Sequence, residues 1–225
     1  TSWAVIENQG SQGACQGHAL STGVEDLVVR SGGAQVQLSR AAAYYMTQRI
    51  DGIRGDRGST IEGGVRLAMT DGIPLEEVWR YPSSYNPSIP AGYESAQKWK
   101  IEGHTTCRNY DDVIRHIGLR GPVHIGIMWG GGHDQQVARD GIISRYAPGG
   151  GGHSVELVGY QWNNYQGQRA SKRYVILQNS WGKWGVDGFC LVTPDAIDQM
   201  IQGQWSVFEG LYGCTGVANT MPVYT

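Results

Sequence analysis

An α+β fold is predicted, with helices gathered in the first half of the chain and strands in the second. Three observations carry this. Ala19, Leu20, Val24, Leu27 and Val28 recur at helical spacing. Two further helical stretches precede residue 72, one opening after Ser39 as a cap and the other stopping at Asp71-Gly72. From residue 123 onward, short apolar runs alternate with glycine turns, which is a strand signature.

The first helix has Cys15 in its first turn, after the glycine-rich approach NQGSQGA of residues 8–14, and breaks at Gly32 and Gly33. Ser39 is placed to cap a second helix over residues 40–50, RAAAYYMTQRI, rich in good helix formers. The glycines and charges of residues 51–60 suit a surface loop. A third helix is predicted over residues 60–70, stopped at Asp71-Gly72. Residues 74–90, rich in proline and tyrosine, read as a long ordered loop. WKIEGHTTC (99–107) then reads as a strand and residues 111–118 as a short helix. Strands are predicted at 123–129, 141–144, 154–160, 174–178 and 189–192, forming a curled antiparallel sheet or barrel. Residues 206–225 show no period and are expected to pack back across both halves. The chain divides into a mainly helical part, 1–108, and a mainly β part, 109–225.

With 225 residues the chain can build one large domain or two small ones around a real core. Lys and Arg total 18 against 20 Asp and Glu, so no charge excess argues for nucleic acid or an anionic membrane as partner. No apolar run approaches the roughly 20 residues of a membrane span, and no signal-like segment opens the chain. Four cysteines are few. Cys190, inside GFCLV, reads as buried packing, whereas Cys107 and Cys214 could pair, with connectivity left open. The compartment stays open too, with delivery outside the producing cell favoured over the cytoplasm. No cofactor is expected. His104 and Cys107 form half of a zinc-ligand pattern, but no second half is visible, so no metal is expected.

Cys15 falls in the first turn of its helix, where unpaired N–H groups and the macrodipole favour a thiolate. A lone cysteine fits inert packing equally well. Two later stretches decide between these readings. GGGGHSVELVGY (149–160) puts His153 at the mouth of a strand, and RYVILQNSWGKWG (173–185) ends an apolar strand in Asn179. The histidine follows the cysteine by 138 residues (153 − 15), and the asparagine follows by 26 more (179 − 153). That order and spacing resemble the Cys-His-Asn series of papain-like cysteine peptidases. The local wording agrees: NQGSQGAC is similar to the family's NQGSCGSC, HSVELVGY to HAVAAVGY, and NSWGKWGVDGF to NSWGxxWGExGY. The chain is identified as a divergent, bacterial-type member.

The resemblance implies a two-lobed fold, a helical lobe and a β-barrel-like lobe, with the active-site cleft between them. It implies hydrolysis of peptide bonds, by default as an endopeptidase, with Cys15 as nucleophile, His153 as its acid–base partner and Asn179 orienting the imidazole. Gln9, six residues before Cys15, matches the oxyanion-hole glutamine, and Trp181 would screen the His153–Asn179 bond. Gly58 and Ser59 fall where the family pairs with substrate backbone. Ile61, Gly126 and Ser154 fall where the pocket for the second residue before the cut is built, implying a preference for bulky apolar or aromatic side chains. Glu25 matches a buried structural acid. A polypeptide substrate is implied, together with an inhibitory pro-segment or inhibitor protein as partner. Departures are Gln12, which removes a usual disulfide, Gln16 for tryptophan, His18 for an aromatic, and Arg40 and Ala41 for an acid and an amide. Two other readings remain: a thiol acyltransferase or ligase with the same triad, and a catalytically silent member that binds.

Overall fold

The computed structural model describes residues 5–162, 164–165, 168–169 and 171–216. Helix α1 (Cys15–Arg30) buries Leu20, Val24, Leu27 and Val28, each contributing about 1.5–3 kcal/mol relative to exposure. Helix α2 (Arg40–Asp51) is capped by Ser39, whose hydroxyl accepts from Ala42 N–H at 2.9 Å. It ends at Gly52 in the left-handed conformation. The two helices meet at Gly17, where a Cβ would lie 2.7 Å from the Tyr44 backbone nitrogen. Helix α3 (Ile61–Thr70) is capped by Thr60, so the predicted first residue is the cap itself.

Strands β1 (Ile73–Pro74) and β2 (Lys98–Thr106), helix α4 (Tyr110–Leu119) and strand β3 (Val123–Trp129) follow. Next come α5 (Gly131–Asp140), β4 (Ile142–Ile143), β5 (Gly151–Gln161), β6 (Asn164–Tyr165) and β7 (Gln168–Arg169). The last elements are β8 (Tyr174–Gln178), β9 (Phe189–Val192), α6 (Pro194–Ile201) and β10 (Val207–Thr215). One eight-stranded sheet runs β1-β2-β10-β3-β5-β8-β9-β4, and β6 with β7 forms a separate ribbon. The sheet is open rather than closed, and its β4–β9 edge pair is parallel.

Six elements are new relative to the sequence reading: the two-residue strands β1, β6 and β7, the helices α5 and α6, and the strand β10. Helix α5 is capped by Gly130, opens on Gly131 and Gly132 and has few apolar positions, so its period is faint. Helix α6 carries a cap at Thr193 and Pro194 in its first turn, a start signal that was legible. Strand β10 replaces the formless tail and lies between β2 and β3. Gly210 masks it: the His116 ring packs there, and a Cβ would meet it at 2.6 Å. Residues 217–225 of the predicted tail lie outside the described residues.

The apolar interior falls into one cluster built on the sheet with α4, α5 and α6, and another on α1, α2 and α3. A third, smaller cluster packs Tyr44, Tyr45, Trp79 and Tyr93. The strand β10 bridges the first two, with Phe208 in the sheet cluster and Leu211 in the helical one. All four cysteines are free. The register opposes Cys214 to Ile101, while the Cys107 N–H bonds to the Phe208 carbonyl, so the two candidates for a bridge sit at opposite ends of one ladder. Gln12 holds its loop by hydrogen bonds instead, accepting from the Tyr45 hydroxyl at 2.7 Å and donating to the Pro82 carbonyl at 2.6 Å.

Candidate active site

A cleft of about 660 Å³ opens where the start of α1 faces β3 and β5. Cys15, the first residue of α1, is half-buried in its wall. His153 and Ser154 come from β5, Gly126 from β3 and Ile61 from α3, while Gln9, Gly58, Ser59 and Trp181 come from loops. Every sequence-predicted site residue except Asn179 lines this cleft.

Asn179 lies behind the histidine. Its Oδ1 accepts from His153 Nε2 at 2.8 Å and from the Ser180 N–H at 2.8 Å. The two acceptor contacts fix which end of the amide faces the imidazole. Trp181 stacks on the His153 ring at 4.4 Å between centroids, and Trp129 meets its edge at 5.2 Å. His153 is 7% exposed and Asn179 2%, so the bond between them is shielded from water.

Gln9 is held by a second route. Residues 7–9 run beside 180–182: Gln9 N–H donates to the Ser180 carbonyl and Gly182 N–H to the Glu7 carbonyl. Ser180 Oγ donates to Gln9 Oε1 at 2.7 Å, and Gln9 Nε2 donates to the Gln12 carbonyl at 2.9 Å. An amide nitrogen has two hydrogens, which leaves one for the cleft. Sequence reading missed Ser180, which ties Gln9 to Asn179. It also missed Asp56, which accepts from Gly13 N–H at 2.8 Å and from Tyr44 Oη at 2.7 Å. That pair clamps the loop leading into Cys15 against α2. Trp205 and Val207 join the apolar side of the cleft, and Trp205 is exposed with φ at 65°. Of the two substitutions beside the cysteine, Gln16 accepts from Ser59 Oγ at 2.8 Å. His18 hydrogen-bonds Glu7 through Nδ1 at 2.9 Å and sets its ring at 82° to Tyr81.

The charge state differs from the sequence expectation. A helix start favours a thiolate, but burial pushes the Cys15 thiol up, and the N–H groups of Ser154, Gln16 and Cys15 offset this only in part. Burial pushes His153 down to about 4, against the opposing effects of Asn179 and Asp134. Desolvation therefore disfavours isolated charge on either group. Glu25 is the buried acid expected: it accepts from Leu38 N–H at 2.7 Å and pairs with Arg40 at 2.7 Å. Among the described residues no group of three or more potential metal ligands is found.

Comparison with known proteins agrees with this architecture. The sequence profile of the papain family cysteine proteases matches residues 2–205. The senescence-specific cysteine protease SAG12 of Arabidopsis thaliana is 26% identical over 202 residues, covering 86% of this chain and 54% of that protein. Zingipain-2 of Zingiber officinale is 26% identical over 186 residues, covering 82% of this chain and 79% of the relative. The chain thus spans about half the length of SAG12. Among solved structures, xylellain from Xylella fastidiosa superposes with a TM-score of 0.73 at 21% identity, covering 92% of this chain and 82% of that one. A Carica candamarcensis cysteine protease in complex with E-64 gives 0.68 at 19% identity, covering 93% of each chain. At those identities the structural likeness speaks for the fold, while the profile spans most of the sequence. The chain belongs to the papain family of cysteine proteases.

Proposed function

We propose that this chain is a cysteine peptidase, acting inside polypeptides, that uses Cys15, His153 and Asn179 through an acyl-enzyme thioester. The observation that carries the reading is the shielded 2.8 Å bond between His153 and Asn179 in the wall of the cleft that Cys15 also lines. With Nε2 engaged, His153 has Nδ1 free for the thiol proton. Sγ attacks the scissile carbonyl carbon as that proton passes to Nδ1, and the imidazolium returns it to the leaving amine. Water then attacks the thioester by the same exchange, releasing the acid and restoring the thiol. The remaining Gln9 Nε2–H and the Cys15 N–H are the donors for the oxyanion, and losing one such donor typically costs about 3–4 kcal/mol of barrier. In this reading residues 1–108 supply the nucleophile and Gln9, and residues 109–225 supply His153 and Asn179. A polypeptide is the substrate. A pro-segment is the proposed natural restraint, because a structural relative, the ragweed pollen protease Amb a 11, was solved in its proform.

The test is covalent labelling with E-64, located by intact mass and peptide mapping, alongside peptide turnover in the presence of an amine acceptor. One adduct on Cys15 with hydrolysed product supports the peptidase. Ligated product would make the chain a transferase, and no adduct on folded protein would make it a binder.

Two further results are expected. The pocket flanked by Ile61, Gly126, Ser154 and Val207 is apolar on two sides; the Ile61 side chain reaches to 2.8 Å from where a Gly126 Cβ would stand. A positional-scanning library should select bulky apolar or aromatic residues two before the cut, and selection of arginine there would refute the assignment. The second concerns pH. The working pair carries one proton between Sγ and Nδ1, so activity falls when a second proton binds and again when the last is lost. Burial lowers His153 to about 4 and raises Cys15, so both shifts widen the plateau. The kcat/KM profile should hold from near pH 4 to beyond the ordinary thiol range. An acid limb at the ordinary histidine value of about 6.5 would contradict this.

A further inference from the structure

Behind Asn179 lies a second, small cavity of about 10 Å³, lined among others by His18, Ser154, Glu156, Gln178 and Asn179. That is about the volume that one water centre requires. Each of these five residues carries a buried atom with no hydrogen-bond partner among the described residues: His18 Nε2, Ser154 Oγ, Glu156 Oε1, Gln178 Oε1 and Asn179 Nδ2. The exposure of their residues runs from 0% for Glu156 to 5% for Gln178. Leaving five such groups dry would cost about 1–3 kcal/mol each.

The surroundings set the polarity of the atoms. Asn179 presents Oδ1 to His153, so its amide N–H groups are turned the other way. Gln178 Nε2 donates to the Val5 carbonyl at 3.1 Å, which leaves Oε1 as an acceptor. Glu7 is pulled upward by burial, but its bonds to His18 and Arg40 outweigh that and keep it a carboxylate. Burial lowers His18, with Glu7 opposing, so the imidazole is neutral. Its single proton therefore sits on Nδ1, facing Glu7 at 2.9 Å, and Nε2 is a bare acceptor.

We propose that this cavity binds a water that accepts from Asn179 Nδ2 and donates to His18 Nε2, making His18 a positioning residue for the catalytic histidine. The water's second hydrogen goes to Gln178 Oε1 or Ser154 Oγ. The sequence Arg40–Glu7–His18–water–Asn179–His153 then fixes the asparagine amide from behind. An aromatic ring at position 18 would fill the same space without an acceptor, so this device belongs to a histidine there. The inference rests on the reading of Asn179 and His153 given above, but it is separable from it.

The substitution that isolates the role is His18→Asn, because an asparagine nitrogen reproduces the Nδ1 donor to Glu7 and removes the ε acceptor. It should lower kcat about tenfold, within the range for residues of one hydrogen-bonded network, with KM unchanged. His18→Gln, which restores a polar atom at the ε position, should recover most of the loss. In an Asn179→Ala background, His18→Asn should change kcat less than about twofold, because the group it acts through is gone. Multiplicative effects, or wild-type kcat in His18→Asn, would overturn the proposal. If Asn179→Ala alone leaves kcat unchanged, the triad reading has failed instead. A high-resolution crystal structure of the wild type supplies an independent check. Ordered density within hydrogen-bond distance of both Asn179 Nδ2 and His18 Nε2 supports the proposal, and a dry cavity refutes it.

Discussion

Replacing Cys15 by alanine is expected to lower kcat/KM by about 10⁴-fold or more, the scale seen when a nucleophile is removed from a triad that works as a unit. The fold should not notice. Cys15 is the first residue of α1 and half-buried, and alanine is the best helix former. The thermal midpoint should stay within about 2 °C, since a side chain so small and partly exposed contributes little to stability. The pair of readouts separates chemistry from structure. A matching loss in His153→Ala, with no further loss in the double variant, would mark the two residues as one unit. If Cys15→Ala retained a tenth of the activity, the nucleophile would have to be sought elsewhere. The other three cysteines do not offer one. Burial pushes the thiols of Cys107 and Cys190 far up, and Cys214 up to about 11, and none of the three lines the cleft.

The parts of this molecule legible in its sequence are those written in local chemistry. Ser39 announces its helix because a short hydroxyl side chain caps the N–H groups of the first turn. The strands β3, β8 and β9 begin and end where the apolar runs do. What stayed hidden depends on partners distant in the chain. No period marks β10, since its place between β2 and β3 is set by residues 81 to 115 positions earlier (207 − 126 and 215 − 100). Gln9, Cys15, His153, Ser154, Asn179 and Trp181 were readable as candidates because they fall in three motifs. Ser180 sits inside one of those motifs, yet its hydroxyl contact with Gln9 spans 171 residues. His18 looked like a departure without a purpose. Only the fold shows that Glu7, eleven residues before it, fixes its proton.

The largest expected effect on stability comes from Arg40. Its side chain is 2% exposed and is shared between two buried acids: Nε donates to Glu7 at 3.0 Å, Nη2 contacts both carboxylates, and Nη1 pairs with Glu25 at 2.7 Å. One cation cannot fully satisfy two carboxylates. Glu7, also bonded to His18, stays below the usual range, whereas burial raises Glu25 to about 7 despite Arg40. Arg40→Ala leaves both acids buried and facing each other, and breaking a buried pair in this way typically costs about 3–5 kcal/mol. For a chain of this size that is a fall in Tm of about 6–20 °C. The pH dependence supplies the sharper test. In the native protein the folded pKa of Glu7 is depressed, so its contribution is present above its ordinary value of 4.5 and is lost as pH falls. Without Arg40 the folded pKa rises above 4.5, and stability must then fall as pH rises through that value. Urea unfolding of Arg40→Ala should therefore show a penalty that shrinks toward acid pH, where both carboxyls are neutral. A penalty independent of pH would mean that Arg40 acts by filling space, and the charged chain reaching from it to His18 would lose its anchor.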